Sequence, residues 1–215
     1  MLSFPSQIHE WLTRRNDRQQ SSPEVLIIGN PQMPELSNAN NGHNAPMSNL
    51  PYAEAEARQN ADFFETDALI GQDASEWAVK QRIGESRVIH LATHGLLDYG
   101  ALPNTTRRDL PGAIALTPGQ GEDGLLTSAE VLEHSIFNTD LVALSACDTG
   151  VGTFSGDGVI GLSRSFILSG ASSVMVSLWS VPDGPTADLM TEFYHQWLEL
   201  ELDKAQALRQ AMLVT

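Results

Sequence analysis

"LVALSACDTG", residues 141–150, carries the only cysteine of the chain, Cys147, at the end of an apolar run and just before a turn signal, Asp148-Thr149-Gly150. An apolar run of this length closed by a turn reads as a buried strand, spanning residues 139–147 with the preceding Thr139 and Asp140. A lone thiol in such a run is by habit a small buried hydrophobe. At the tip of a strand it can instead be a nucleophile. What stands at the other strand tips decides between the two.

A second run, "SRVIHLATHG" (86–95), ends at His94-Gly95, and "EVLIIG" (24–29) and "ASSVMVSLWS" (171–180) read as further buried strands. Helices are expected at 52–71, with Gly71 at its end, and at 74–84, with Ser75 as N-cap. Another begins at Thr127, which with Glu130 forms a capping box over 127–134, and three more cover 156–170, 183–200 and 203–214. "AIALTP" and "GLLT" form a strand pair or extended segments joined by "GQGEDG". Residues 30–51, rich in Asn and Pro, read as a surface loop, and residues 1–22 as a short amphipathic helix with a polar linker. There are no internal repeats. The expected organisation is an N-terminal helix and linker over 1–23 followed by one domain over 24–215.

Strands that are apolar on both faces and alternate with helices imply an α/β fold, a mostly parallel sheet flanked by helices on both faces. In such folds the functional crevice lies beyond the carboxyl ends of the strands. Two of those ends carry reactive side chains, His94 and Cys147.

At 215 residues with 41% apolar content, one sizeable core is readily built. Twelve basic against 27 acidic residues give a net charge of −15, which repels phosphate backbones and argues against a nucleic-acid partner. The same surface would attract basic peptides. No apolar run approaches the roughly 18–20 residues of a membrane span, and the N-terminus lacks the order of a signal peptide. A single cysteine forms no internal disulfide. A reducing, cytoplasmic setting is expected.

Thiol chemistry needs a base, because a free thiol with a pKa near about 8.5 is mostly protonated at neutral pH. An imidazole can take that proton and later give it to a leaving amine. Backbone N–H groups must meet the oxyanion, and a glycine after a strand suits that task. His94-Gly95 and Cys147 meet these needs, and their 53-residue separation allows one crossover between neighbouring strands.

Other chemistries fit less well. His90 and His94 are four apart, but on a strand that is about 13 Å, too far to share a metal. His90 reads as a hydrogen-bonded core histidine. Gly156-Asp157-Gly158-Val159-Ile160-Gly161 matches G-x-G-x-x-G, yet it is separated from the preceding strand by the residues after Cys147, whereas a dinucleotide fingerprint follows its strand directly. Its glycines read as loop flexibility and close helix packing. A serine-hydrolase elbow is absent. No metal or cofactor is expected.

"VIHLATHG", "DGLLTSAEV", "DLVALSACDTGVG", "GDGVIGLSRSFILSGASSVMVSLWSVPD" and "DKAQALRQAM", in that order, resemble the CHAT domain, a caspase-like module often linked to tetratricopeptide repeats. "VLIIGNP" and "LPYAEAEA" resemble its N-terminal portion, so the likeness spans about residues 24–214. The resemblance implies a caspase-like fold and a cysteine endopeptidase with a His–Cys dyad. The family's histidine falls on His94 and its cysteine on Cys147, with Gly95 and the Cys147 backbone supplying oxyanion N–H groups. Members usually continue past "ALRQAM" into another strand, so the sheet is expected to lack its C-terminal strand. No repeats precede residue 24, and a regulatory protein or repeat domain is an expected partner. A catalytically idle interaction domain, or a nucleotide-binding α/β protein, are the alternatives.

The pocket beside the nucleophile is expected to be lined by Ser145, two residues before Cys147, and by Trp179 to Asp183 on the next strand. Asp148 and Asp157 have ordinary roles as a turn residue and a helix start, and Asp183 reads equally as an N-cap or a pocket residue. No Arg or Lys lies between Arg108 and Arg164, or between Arg164 and Lys204. An acidic substrate side chain would go unpaired there, whereas Arg or Lys would gain a charge-assisted hydrogen bond. Cleavage of a protein or peptide after a basic residue is the expectation.

Overall fold

The computed structural model describes residues 24–35, 47–96, 99, 111–148, 156–177 and 181–215, with only the backbone of 146–148 and 156–160. The expected helix at 1–22, the turn at Thr149-Gly150 and Trp179 lie outside the described residues. The elements run β1 (Val25–Pro31), α1 (Pro51–Asp62), β2 (Leu69–Gly71), α2 (Glu76–Arg82), β3 (Val88–Leu96), β4 (Ala113–Ala115) and β5 (Leu125–Thr127). They continue with α3 (Ser128–Glu133), β6 (Leu141–Asp148), α4 (Gly156–Ser169), β7 (Val174–Val176), α5 (Asp183–Tyr194) and α6 (Lys204–Val214).

Five strands pair in parallel in the order β2-β1-β3-β6-β7, and the antiparallel β4–β5 pair joins the far end of β3. Alternation along β1 explains why helices cover both faces. Val25 and Ile27 pack with Ala57 of α1, Phe193 and Tyr194 of α5, and Ala207 and Ala211 of α6. Leu26 and Ile28 point the other way, to Val79 of α2, Val131 of α3 and Phe166 of α4. Neither face meets water, hence the near-continuous apolar runs. Gly29 lets α1 approach: a Cβ there would lie 2.4 Å from the Ala57 Cβ. Gly161, last of the G-x-G-x-x-G glycines, is equally a packing residue, since its Cβ would fall 2.1 Å from the Pro111 carbonyl.

Local signals start the helices as expected. Ser75 Oγ accepts the Ala78 N–H at 3.2 Å. Thr127 and Glu130 form both bonds of the capping box. Asp203 caps α6 through the N–H groups of Ala205 and Gln206.

Two boundaries depart from expectation. The helix over 52–71 stops at Asp62, and Leu69–Gly71 is a parallel strand against β1. Phe63 and Phe64 pack their rings on Tyr194, Glu65 turns the chain through φ +52°, and the freed apolar residues complete the sheet edge. The helix over 183–200 ends at Tyr194 and widens into a π turn, His195–Glu199, which keeps the Trp197 ring 5.8 Å from that of Phe193. Of the strand expected over 171–180, Val174–Val176 pairs with β6.

Two polar groups, the half-buried Lys80 and the buried His90, tie elements together. Lys80 Nζ lies 2.7 Å from Glu76 and from Glu122 and 2.8 Å from Glu130, joining α2, the β4–β5 turn and α3. These three glutamates could together hold a metal ion, but the ammonium already sits among them. Burial alone would lower the Lys80 pKa; the three carboxylates outweigh it and raise it. On the other face His90, fully buried in β3, has Nδ1 3.2 Å from the Tyr194 hydroxyl. Its Nε2 is 2.9 Å from Glu56 Oε1, close but not aligned as a hydrogen bond. His90 therefore links β3 to α1 and α5 as a core histidine, away from any shared site with His94.

Lys80→Met should cost about 3–5 kcal/mol in urea unfolding, because three carboxylates are left facing one another around a buried Glu76. Removing His90 (His90→Ala) should cost a similar ~3–5 kcal/mol by stranding the buried Glu56, whereas Tyr194→Phe, which deletes one neutral hydroxyl, should cost only about 1 kcal/mol. Equal losses for the last two would contradict this account of the network.

Candidate active site

The β3–β6 pair carries the site. Its parallel register runs from Val88 opposite Leu141 to His94 opposite Cys147 and Gly95 opposite Asp148. In-register residues of neighbouring strands lie about 4.8 Å apart in the hydrogen-bonding direction and belong to one face. The histidine and the cysteine, 53 residues apart in the chain, are thus adjacent at the carboxyl end of the sheet. Gly95 sits between β6 and β4, opposite Asp148 on one side and Ile114 on the other.

His94 is 4% exposed, and its Nε2 lies 2.7 Å from the carbonyl oxygen of Ser48. A carbonyl can only accept, so Nε2 carries a proton; whenever the ring is neutral, Nδ1 is therefore its unprotonated nitrogen. Nε2 is thus a fixed donor. Sequence reading missed Ser48, which falls in the Asn- and Pro-rich segment. Pro51 signals a helix start just after it, but a backbone carbonyl leaves no mark in residue type.

Ser145, two positions before Cys147 on β6, is 9% exposed, and its Oγ has no hydrogen-bond partner among the described residues. It lines a cleft of about 850 Å³ at the β7 edge, shared with Met175, Ser177, Pro182, Leu189 and Met212. The cleft is chiefly apolar, and Asp188 is the one ionisable side chain among its lining residues. The structure thus brings Ser145 to a cavity beside the cysteine strand.

Asp183 begins α5, and its Oδ2 accepts the Tyr52 N–H at 3.1 Å, with the Ala53 N–H near enough to favour the ionised carboxylate. Its neighbourhood includes both Glu56 and His94. Burial, aided by the Glu56 charge, raises the Asp183 pKa against the pull of these N–H groups and of His94. Asp183 therefore caps α1 rather than its own helix, whose N-cap is Pro182.

No described helix is long and apolar enough to cross a membrane. The model of the CHAT domain family matches residues 2–215. Tetratricopeptide repeat protein 28 of Homo sapiens is 28% identical over 99% of this chain, and that of Mus musculus is 26% identical over 90%. The chain spans 9% of the length of each of these two relatives. With nearly its whole length matched by the family model and a caspase-like α/β sheet as its frame, the chain belongs to the CHAT domain family.

Proposed function

We propose that the domain is a cysteine endopeptidase in which His94 and Cys147 act as a dyad. The observation that carries this reading is the register of β3 on β6, which sets His94 opposite Cys147 while Ser48 holds the imidazole by its far nitrogen. Nδ1 takes the thiol proton, and the Cys147 sulfur attacks the scissile carbonyl carbon. The oxyanion is met by the backbone N–H groups of Gly95 and Cys147. The imidazolium then gives its proton to the leaving amine, and water, losing a proton to the same nitrogen, hydrolyses the thioester.

The substrate is a protein or peptide cleaved after a basic residue. Its pocket is assigned to Ser145, Asp183 and, from the sequence alone, Trp179, and the carboxylate of Asp183 keeps lone pairs beyond that taken by the Tyr52 amide. The absence of any Arg or Lys between Arg108 and Arg164 and between Arg164 and Lys204 supports the preference. A reducing compartment such as the cytoplasm suits a chain with one cysteine. A second reading, an interaction domain without catalysis, draws support from relatives named for tetratricopeptide repeats, an architecture that presents binding surfaces. The same likeness makes a repeat domain the natural regulatory partner.

Incubation with peptide libraries should give cleavage after Arg or Lys, and Cys147→Ala should lower it by about 10³-fold or more without loss of fold. Wild-type rates in that variant would eliminate the nucleophile assignment, and an inert wild type would favour the interaction domain. Asp183→Asn keeps an oxygen for the Tyr52 N–H but loses the charge, so turnover of Arg substrates should fall about 10-fold or more while neutral ones change little. Because the Asp183 pKa is raised, the Arg preference should fade on acidification at a pH above the ordinary carboxylate range of about 3.9. A preference that is flat down to that range would remove Asp183 from the pocket.

A further inference from the structure

Helix α1 begins without a cap of its own. Its N-cap is Leu50, which has no polar side chain, and Pro51 follows at the first helical position. The open N–H groups of this end are satisfied from elsewhere in the fold. Asn30 Oδ1 accepts the Leu50 N–H at 2.8 Å, and Asp183 accepts that of Tyr52. The Asn30 side chain also reaches the first turn of the helix. There Arg58 and, more weakly, Asn30 hydrogen-bond the Glu54 carboxylate and lower its pKa against the opposing effect of burial.

Asn30 is placed there by an irregularity of β1. The pairing of β1 with β2 shifts register between Gly29 and Pro31, and Asn30 adopts φ +43°. Asparagine enters this left-handed region more readily than most residues, and bulges of this kind re-aim a side chain at sheet edges and next to sites. Gly29, just before it, lies directly beneath Ala53 and Ala57, so the end of β1 and the start of α1 are locked at close range.

Two residues upstream of Leu50 is the carbonyl of Ser48 that takes the His94 Nε2 proton. Met47 anchors the near end of this short segment in a small apolar cluster with Leu96, Ala113 and Leu125. An apolar contact fixes position but not the orientation of a peptide plane. A hydrogen bond to the backbone at Leu50 does fix orientation.

We infer that Asn30 is a positioning residue for His94: by capping Leu50 it orients the Met47–Leu50 segment, whose Ser48 carbonyl selects the imidazole tautomer with its proton on Nε2. The consequence for cleavage rests on the endopeptidase reading; the tautomer does not. A purely conformational role for Asn30, as a residue tolerant of positive φ, makes a different prediction, because glycine adopts that φ at least as readily.

The test uses the full chain labelled with ¹⁵N-histidine, with His94 assigned by comparison with His94→Gln. Wild type should show the Nε2–H tautomer as the dominant neutral form. Asn30→Gly, which tolerates φ +43° but has no side-chain oxygen, should show a mixture of tautomers at an unchanged melting temperature. Asn30→Asp combined with Glu54→Gln, which keeps the acceptor without setting two carboxylates face to face, should show the wild-type pattern. A wild-type tautomer in folded Asn30→Gly would overturn the inference, as would a mixture in the folded Asn30→Asp, Glu54→Gln double variant. The second variant decides the matter if the first does not fold.

Where wild type cleaves peptides, Asn30→Gly should in addition lose about 10–100-fold in kcat with KM little changed, as expected for a small misplacement of a base. If wild type is inert, the endopeptidase reading fails while the tautomer measurement still stands or falls by itself.

Discussion

The architecture depends on one strand, β3. All nine of its residues are buried, and it pairs with β1 on one side, β6 on the other and β4 at its far end. A strand with neighbours on both edges and helices over both faces has no freedom of register, because a slip of one residue would turn every apolar side chain to the wrong face. His90 and His94 share this strand and a single face, yet meet different surroundings. His90 is held among Glu56 and Tyr194 in the core, while His94 reaches the carboxyl end of the sheet, where a backbone carbonyl meets it.

Rigidity at that end comes from the convergence of three separate pieces of chain. The last residues of β1 supply Asn30, the start of α5 supplies Asp183, and both satisfy amides at the beginning of α1. Met47 is set from below by the end of β3 and the β4–β5 pair. The His94 ring is oriented by the fold alone, which is what its proposed role as a general base requires. Asp183 lies close enough to His94 for the two charges to influence each other, and it directly follows Pro182, which lines the apolar cleft.

The opposite face is held by Lys80, whose ammonium stands among three glutamates from three elements. In a chain with 27 acidic and 12 basic residues, one cation placed among carboxylates relieves repulsion that no external counter-ion could reach as closely. None of these contacts follows from charge counts, which speak of the surface as a whole.

Much of the layout was nonetheless legible in the sequence. Apolar runs with glycine or a turn at their ends marked β1, β3 and β6, and the caps at Ser75 and Thr127 marked helix starts, because those signals act within a few residues. The adjacency of His94 and Cys147 was inferable from two strand tips of one parallel sheet, since such tips share an edge. Leu69–Gly71 was misread as helix, for its pairing partner lies in β1 and its release from the helix depends on Phe63 and Phe64 packing on Tyr194, a ring more than a hundred residues away. Ser48 and Asn30 were invisible for the same reason. The sequence alone determined the long buried strands β1, β3 and β6 and the starts of the capped helices, because periodicity and capping are local. Only the tertiary structure decided which carbonyl meets His94 and what holds that carbonyl in place, because both depend on contacts between residues far apart in the chain.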